Sequence, residues 1–351
     1  MKKFSKTILM IATCLVVAGA GFLGVGYALG GSPSFAIGPE GIVNGTTSVN
    51  HSLEKTRIDA FENVKLTVNF GDITIVPSDG YYLEYSLTGD EKGPAYSVDN
   101  KTLTFREIQE NAGAVYSFFY SGPVGNVYDP KGNDYLKLYV PEDVYLENVQ
   151  IVGSDGEFVW DGSVKTDWLS VDISYGDMKV SDVQGKQIEL NSSDGKIEVS
   201  NCAAETLKVY NAYGNTILKQ VDVQDLTVEL SDGKLEMEQI KAENNDIRNY
   251  YGSIKGDVLS GNIWNVYQSD GNCRFDEADI QDLKVESSYG DVELNMLGAE
   301  DDYDYDLHSD YGSVRLNGYR RDEEIRIRNK ADRVIRVDSS DGKIVVNTEK
   351  D

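Results

Sequence analysis

ISYGDMKV, from Ile173 to Val180, returns one period later as NSSDGKIEV, from Asn191 to Val199. The Gly at a fixed place in both copies marks a backbone position of positive φ, which a side chain makes costly. Glycines in the same local pattern fall at 156, 176, 195, 214, 233, 252, 271, 290, 312 and 342. Successive gaps are 20, then six of 19, then 22 and 30, so the period is tight from Gly176 to Gly290 and loosens after it. Such a fixed period is the mark of a repeat architecture.

Registering the repeats on the glycine exposes the core. Two and four residues after it stand pairs such as Phe158/Trp160, Met178/Val180, Ile197/Val199 and Val292/Leu294. Seven and five residues before it stand Leu169/Val171, Ile188/Leu190, Leu207/Val209, Leu226/Val228, Leu283/Val285 and Ile335/Val337. A spacing of two puts each pair on one face of a strand. Each repeat then reads as two short strands and two turns. A unit that small cannot bury its own apolar face and must stack on copies of itself. The expected fold is all-β, a β-solenoid of about ten 19-residue repeats with coils about 4.8 Å apart, preceded by one N-terminal transmembrane helix. Asn245–Asn249 and Glu300–Asp306 are the least apolar second strands. Cys202 and Cys273 fall on inward positions four repeats apart, too far for a disulfide, and are expected to be free, buried and inert.

The residue before the glycine alternates through Asp155, Tyr175, Asp194, Tyr213, Asp232, Tyr251, Asp270 and Tyr289, then runs Tyr311 and Asp341. Lys196, Lys234 and Lys343 follow Asp-Gly, whereas Asp177, Asn215, Ser253, Asp291 and Ser313 follow Tyr-Gly, so the full period is 38. A 19-residue coil places Lys196 beside Asp177 and brings tyrosines back every second coil, about 9.6 Å apart. A 38-residue coil stacks like on like, with tyrosines about 4.8 Å apart. Two strands and two turns fit 19 residues, which favours the first. The alternation has a structural reading, turn chemistry plus relief of like-charge repulsion. It also has a functional one: Tyr175, Tyr213, Tyr251 and Tyr289 form a row of flat platforms suited to stacking on a glycan.

From Val49 to about Gln150 the period is less clean, but FGDITIV already carries the Gly-Asp signature at Gly71, and KTLTF and YLKLYVP read as further strands. Between them, ENAGAVYSFFYSGPVGNVYDPKGND is an aromatic excursion holding Tyr116, Phe118, Phe119 and Tyr120, read as a cap over the solenoid end or a binding loop. FGDITIV, YLKLYVPEDVYLENVQIVGSDGEFVWDG and the recurring SYGDMKV, SSDGKIEV, SSYGDVEL and SSDGKIVV resemble the bacterial putative-adhesin family, domain of unknown function 4097, over about residues 58 to 347. The resemblance implies a β-strand repeat solenoid, often on membrane-anchored envelope proteins of Gram-positive bacteria, and brings no catalytic residues. The aromatic excursion departs from the plain pattern.

The stretch Thr7 to Gly30 carries no charge, and 24 residues at about 1.5 Å rise can span a bilayer. Lys2, Lys3 and Lys6 before it keep the N-terminus cytoplasmic and send the remainder outside. A cleaved signal peptide ending at Ala18-Gly19-Ala20 is disfavoured because apolar sequence continues past it. The lipoprotein-like IATC at Ile11–Cys14 has Thr13 where a small residue is usual. GAGFLG at Gly19–Gly24 mimics a dinucleotide fingerprint, yet GGSPS follows where a helix is needed. The expected organisation is a cytoplasmic tip and transmembrane helix over 1–30, a flexible spacer over 31–48, N-terminal strands and the excursion over 49–150, and regular repeats over 151–351.

Net charge is -26, and setting aside the three lysines before the span leaves about -29 outside. Charge of that sign argues against nucleic acid and direct adhesion to anionic lipid and leaves cationic partners or bridging divalent ions open. With two His, three Cys and no Walker loop, zinc spacing or nucleophile elbow, no catalytic, cofactor or metal residues are assigned. Asp302, Asp304 and Asp306 share the outer face of a strand, which reads as a solvated acidic face ahead of a cation site. The expected function is that of a membrane-anchored, extracytoplasmic scaffold or binding module at the cell envelope, meeting glycan or an envelope protein and not an enzyme. The alternatives are a sensor or accessory subunit of an envelope-stress or transport system and, third, an enzyme on envelope polysaccharide.

Overall fold

The computed structural model describes residues 12, 13, 15–22, 24–26, 34–38, 41–44, 49–89, 92–107, 113–117, 121–124, 134–142, 144–160, 162–321 and 323–349. Of the Thr7–Gly30 segment, the described positions 12, 13, 15–22 and 24–26 are helical, and the rest lies outside the described residues. Among the described residues no helix is long and apolar enough to cross a membrane.

The chain divides into two units. The smaller contains a four-stranded antiparallel sheet of Ser34–Gly38, Gly41–Asn44, Gly113–Ser117 and Ser121–Val124. The stretch read as a spacer therefore contains two strands, and Tyr116 of the excursion pairs with Phe35. Phe118, Phe119 and Tyr120 lie outside the described residues.

The larger unit is a stack of parallel coils in which, from Val164 to Tyr289, residue i pairs with residue i+19. Ile188 faces Leu207, Leu207 faces Leu226, and Leu226 faces Asn245. One repeat is one coil. The bent strands Ile197–Tyr213, Thr216–Asp232, Leu235–Tyr251, Ile254–Asp270 and Cys273–Tyr289 each complete most of a turn. Burial reverses phase three times per coil, so there are three inward runs where the sequence pattern shows two strands. In the Gly195 coil these are Ile197/Val199, then Cys202 with the half-buried Ala204, then Leu207/Val209/Asn211. The added run is short and its residues are small or varied, so its alternation is hidden in sequence.

The reversal after the first run lies at a left-handed corner six residues past each glycine: Asp182, Asn201, Gln220, Gln239, Val258 and Glu277, with φ between 51° and 58°. No glycine marks it between Asp182 and Glu277, whereas Gly162 and Gly318 hold the equivalent places past Gly156 and Gly312. Val258 is the misfit, because a β-branched side chain is strained there.

Both suspected weak strands contribute to the core. Asn245 and Asn249 point inward and are buried. Asn249 Nδ2 donates to the Gly233 carbonyl at 3.1 Å, as Asn211 does to Gly195 at 2.9 Å and Gln268 Nε2 to Gly252 at 2.7 Å. These amides satisfy a corner carbonyl that would otherwise lose its donor on burial. In the other weak strand Tyr303 and Tyr305 fill the interior.

The coil order departs from the sequence order at both ends. The coil of Asn63–Phe70 and Asp72–Ser78 lies between Tyr145–Trp160 on one side and Thr102–Arg106 with Tyr135–Pro141 on the other. At the far end Arg333–Asp341 pairs with both Cys273–Tyr289 and Tyr303–Ser309. Lys343–Glu349 likewise pairs with Val292–Ala299 and Ser313–Leu316. The last repeat of the sequence is therefore inserted between the Gly290 and Gly312 coils, not stacked beyond them. Ion pairs Arg336–Asp282 at 2.5 Å and Arg333–Asp279 link it to the Cys273–Tyr289 strand. Antiparallel strands close each end, Ala95–Asp99 and Tyr82–Gly89 at one and Tyr319–Arg321 and Glu324–Ile327 at the other. Such strands interrupt the parallel template that an open coil would present to other chains.

Candidate functional site

The glycine corner is built by close approach. Gly252 has φ +137°, and a Cβ on it would lie 1.9 Å from the Gly233 carbonyl oxygen. Similar approaches run from Gly156 to Gly342, so glycine stacks on glycine and leaves the residue before it projecting from the corner. Tyr175, Tyr213, Tyr251 and Tyr289 all occupy that place and are 59%, 62%, 60% and 61% exposed.

In-register pairing joins Tyr175 to Asp194, Asp194 to Tyr213, Tyr213 to Asp232, Tyr251 to Asp270 and Asp270 to Tyr289. The tyrosines therefore recur every second coil, about 9.6 Å apart at the usual strand spacing. Inserting the last repeat extends the row. Tyr289 pairs with Asp341, and Tyr311 donates its N–H to the Ser340 carbonyl on the far side. In space the order is Tyr289, Asp341, Tyr311, so the alternation that breaks in sequence is intact along the solenoid. Tyr311, 85% exposed, is a fifth platform that the sequence reading left out. Two consecutive Tyr-Gly repeats were the available signal.

One residue past the glycine, Asp and Asn side chains accept from the backbone of the next coil. Asp177 Oδ1 accepts the Lys196 N–H at 2.8 Å, Asn215 Oδ1 the Lys234 N–H at 3.0 Å, and Asp291 Oδ1 the Lys343 N–H at 2.9 Å. Lys196 thus meets Asp177 through its backbone, while its ammonium lies 2.7 Å from Glu198 and holds that carboxyl below its usual range.

Most neighbouring charged groups are paired across the outer faces. An open groove of about 500 Å³ beside Tyr250 and Tyr267 is flanked by Arg248 on Asp246 at 3.0 Å and Lys284 on Glu286 at 2.5 Å. Among the described residues no hydrogen bond or ion pair engages the carboxylates of Asp155, Asp194, Asp232, Asp270 and Asp341. The glycine corner thus combines exposed rings with unengaged acceptors.

Of the three aspartates expected on one strand face, Asp304 and Asp306 share the outer face of Tyr303–Ser309, and Asp302 leaves it. Glu300–Asp302 forms a 3-10 turn, and Asp302 accepts the Ala299 N–H at 2.8 Å. Asp304 accepts from the Ala331 N–H at 3.3 Å. Partial burial opposes ionisation of Asp306, yet hydrogen bonds from Arg328 and Arg326 hold its carboxyl low. Among the described residues no cluster of three or more His, Cys, Asp or Glu could hold a metal ion. Cys202 and Cys273 are free and buried, as expected, and burial pushes both thiols up to about 12.

The Toastrack DUF4097 family model matches residues 61–234 and again 201–347. The chain belongs to this family. Among solved structures, a putative adhesin from Parabacteroides distasonis is 11% identical at TM-score 0.36, over 87% of this chain and 98% of its own. A putative cell adhesion protein from Clostridium sporogenes is 13% identical at TM-score 0.19, over 87% and 100%. A putative lipid binding protein from Parabacteroides distasonis is 13% identical at TM-score 0.27, over 87% and 97%. No curated protein matches.

Proposed function

We propose that this chain is a membrane-anchored, extracytoplasmic β-solenoid that serves as a binding scaffold at the cell envelope and acts by binding, not by catalysis. The uncharged stretch Thr7–Gly30 after three lysines supports the anchor and its orientation. The reading is carried by the tyrosine row: five exposed rings, one on every second coil, fixed by the glycine stack beneath them. Exposed aromatic rings at a regular spacing offer flat apolar area at little entropic cost, which suits an extended envelope polymer. The test replaces Tyr175, Tyr213, Tyr251, Tyr289 and Tyr311 by Ser and measures pull-down on purified cell wall. Retention should fall at least tenfold with the thermal unfolding curve unchanged, and unaltered retention would sink the reading.

A further inference from the structure

The rungs between the tyrosines carry a chemistry of their own. Each presents one of the unengaged carboxylates, and across the glycine stands Lys196 after Asp194, Lys234 after Asp232, Asn272 after Asp270 and Lys343 after Asp341. In the first rung Glu157 takes that place. An ionised carboxylate only accepts hydrogen bonds, whereas a Lys ammonium only donates. Asn272 uses its Oδ1 on the Asp291 N–H at 3.0 Å, so its NH₂ is the half left to donate. Lys196 spends one of its three N–H donors on Glu198 at 2.7 Å, whereas the Lys234 and Lys343 ammonium groups have no partner among the described residues. Four of the five rungs therefore offer an acceptor and a donor on either side of a glycine that has no side chain to intervene. A secondary amide has the matching pair, one N–H and one C=O. Hydroxyls can satisfy either group singly but have no such fixed polarity.

Building on the binding reading above, we propose that this corner is a track for a linear glycan containing 2-acetamido sugars. One disaccharide spans two coils. One ring stacks on a tyrosine, and the next sets its acetamido N–H on the aspartate and its carbonyl on the lysine or Asn272. The roughly 9.6 Å spacing of the platforms is close to the disaccharide repeat of an extended β-linked glycan. The alternation suits such a ligand better than a uniform tyrosine ladder, which would offer stacking without the amide partners.

The test measures binding of the full chain in detergent to three hexamers at 0.5 M salt: N-acetylglucosamine, glucosamine and glucose, all β-1,4-linked. High salt screens the nonspecific attraction of the cationic glucosamine hexamer for an acidic protein. The N-acetylglucosamine hexamer should bind at least tenfold tighter than either other. Replacing Asp194, Asp232 and Asp270 by Ala should remove that preference, while replacing them by Asn, which keeps an acceptor oxygen, should retain it. All three positions are exposed, and an unchanged unfolding curve confirms that the variants fold. Equal affinity for the three hexamers, or a preference that survives the Ala variant, overturns the acetamido assignment. Tyrosine-dependent retention on cell wall without binding to any hexamer also overturns it and leaves the scaffold reading standing. Wall retention that persists when the five tyrosines are replaced strikes that earlier reading instead.

Discussion

Tyr289 and Tyr311 belong to successive Tyr-Gly repeats in the sequence, yet Asp341 stands between them in space, paired with Tyr289 in register. The strand that carries Asp341 is hydrogen-bonded on both sides, by Cys273–Tyr289 and by Tyr303–Ser309. Truncating its core should therefore loosen two layers at once. Ile335→Ala removes a fully buried side chain and is expected to cost about 2–5 kcal/mol. Native-state hydrogen exchange should show amides near Val285 and near Leu307 losing protection together. Loss confined to one side would contradict the insertion.

The glycine stack should tolerate no side chain. Gly252→Ala combines φ +137° with a Cβ 1.9 Å from a carbonyl oxygen, so either the coil spacing or the corner must give. We expect a loss of at least about 3 kcal/mol in urea unfolding. Gly89→Ala, whose Cβ would meet nothing within 4 Å, should change stability by less than about 0.5 kcal/mol.

The second corner offers a gain. Val258 holds φ 54° with its side chain 42% exposed, where the equivalent corners carry Asp182, Asn201, Gln220, Gln239 and Glu277. Val258→Asn should stabilise the chain by about 1 kcal/mol, seen as a higher urea midpoint with unchanged slope. A lower midpoint would show that Val258 is held by packing that outweighs its backbone strain.

Cys202 and Cys273 should resist alkylation in the native chain at pH 8, because burial pushes both thiols up to about 12 and away from reagent. Mass spectrometry should find both modified only after denaturation, with no disulfide between them.

Acid should weaken the outer ion-pair ladders in a defined window. The Arg274 guanidinium holds the Asp276 carboxyl below its ordinary 3.8, and the Lys196 ammonium does the same for Glu198 below 4.5. A depressed folded-state pKa contributes stability above the unfolded value and loses it as pH falls through the folded value. Stability should therefore drop from about pH 4.5 downward. Asp276→Asn should flatten that slope in pH-dependent urea titrations.

Much of this was legible from local pattern. The 19-residue glycine period and the alternation at Ile197/Val199 and Leu207/Val209 determined the coil, its size and most of its core, because strand geometry sends every second side chain to one face. The four-tyrosine row followed from the same count. The left-handed corner at Asn201 and Val258 was hidden, since residues other than glycine occupy it and the neighbouring coils hold them there. Tertiary structure alone decided the order of coils at the ends, the inward amides of Asn245 and Asn249, and the place of Tyr311 as a fifth platform. A repeat period states what can stack, but coils with the same inward pattern are near-equivalent partners. The choice among them falls to contacts between coils, which no single repeat contains.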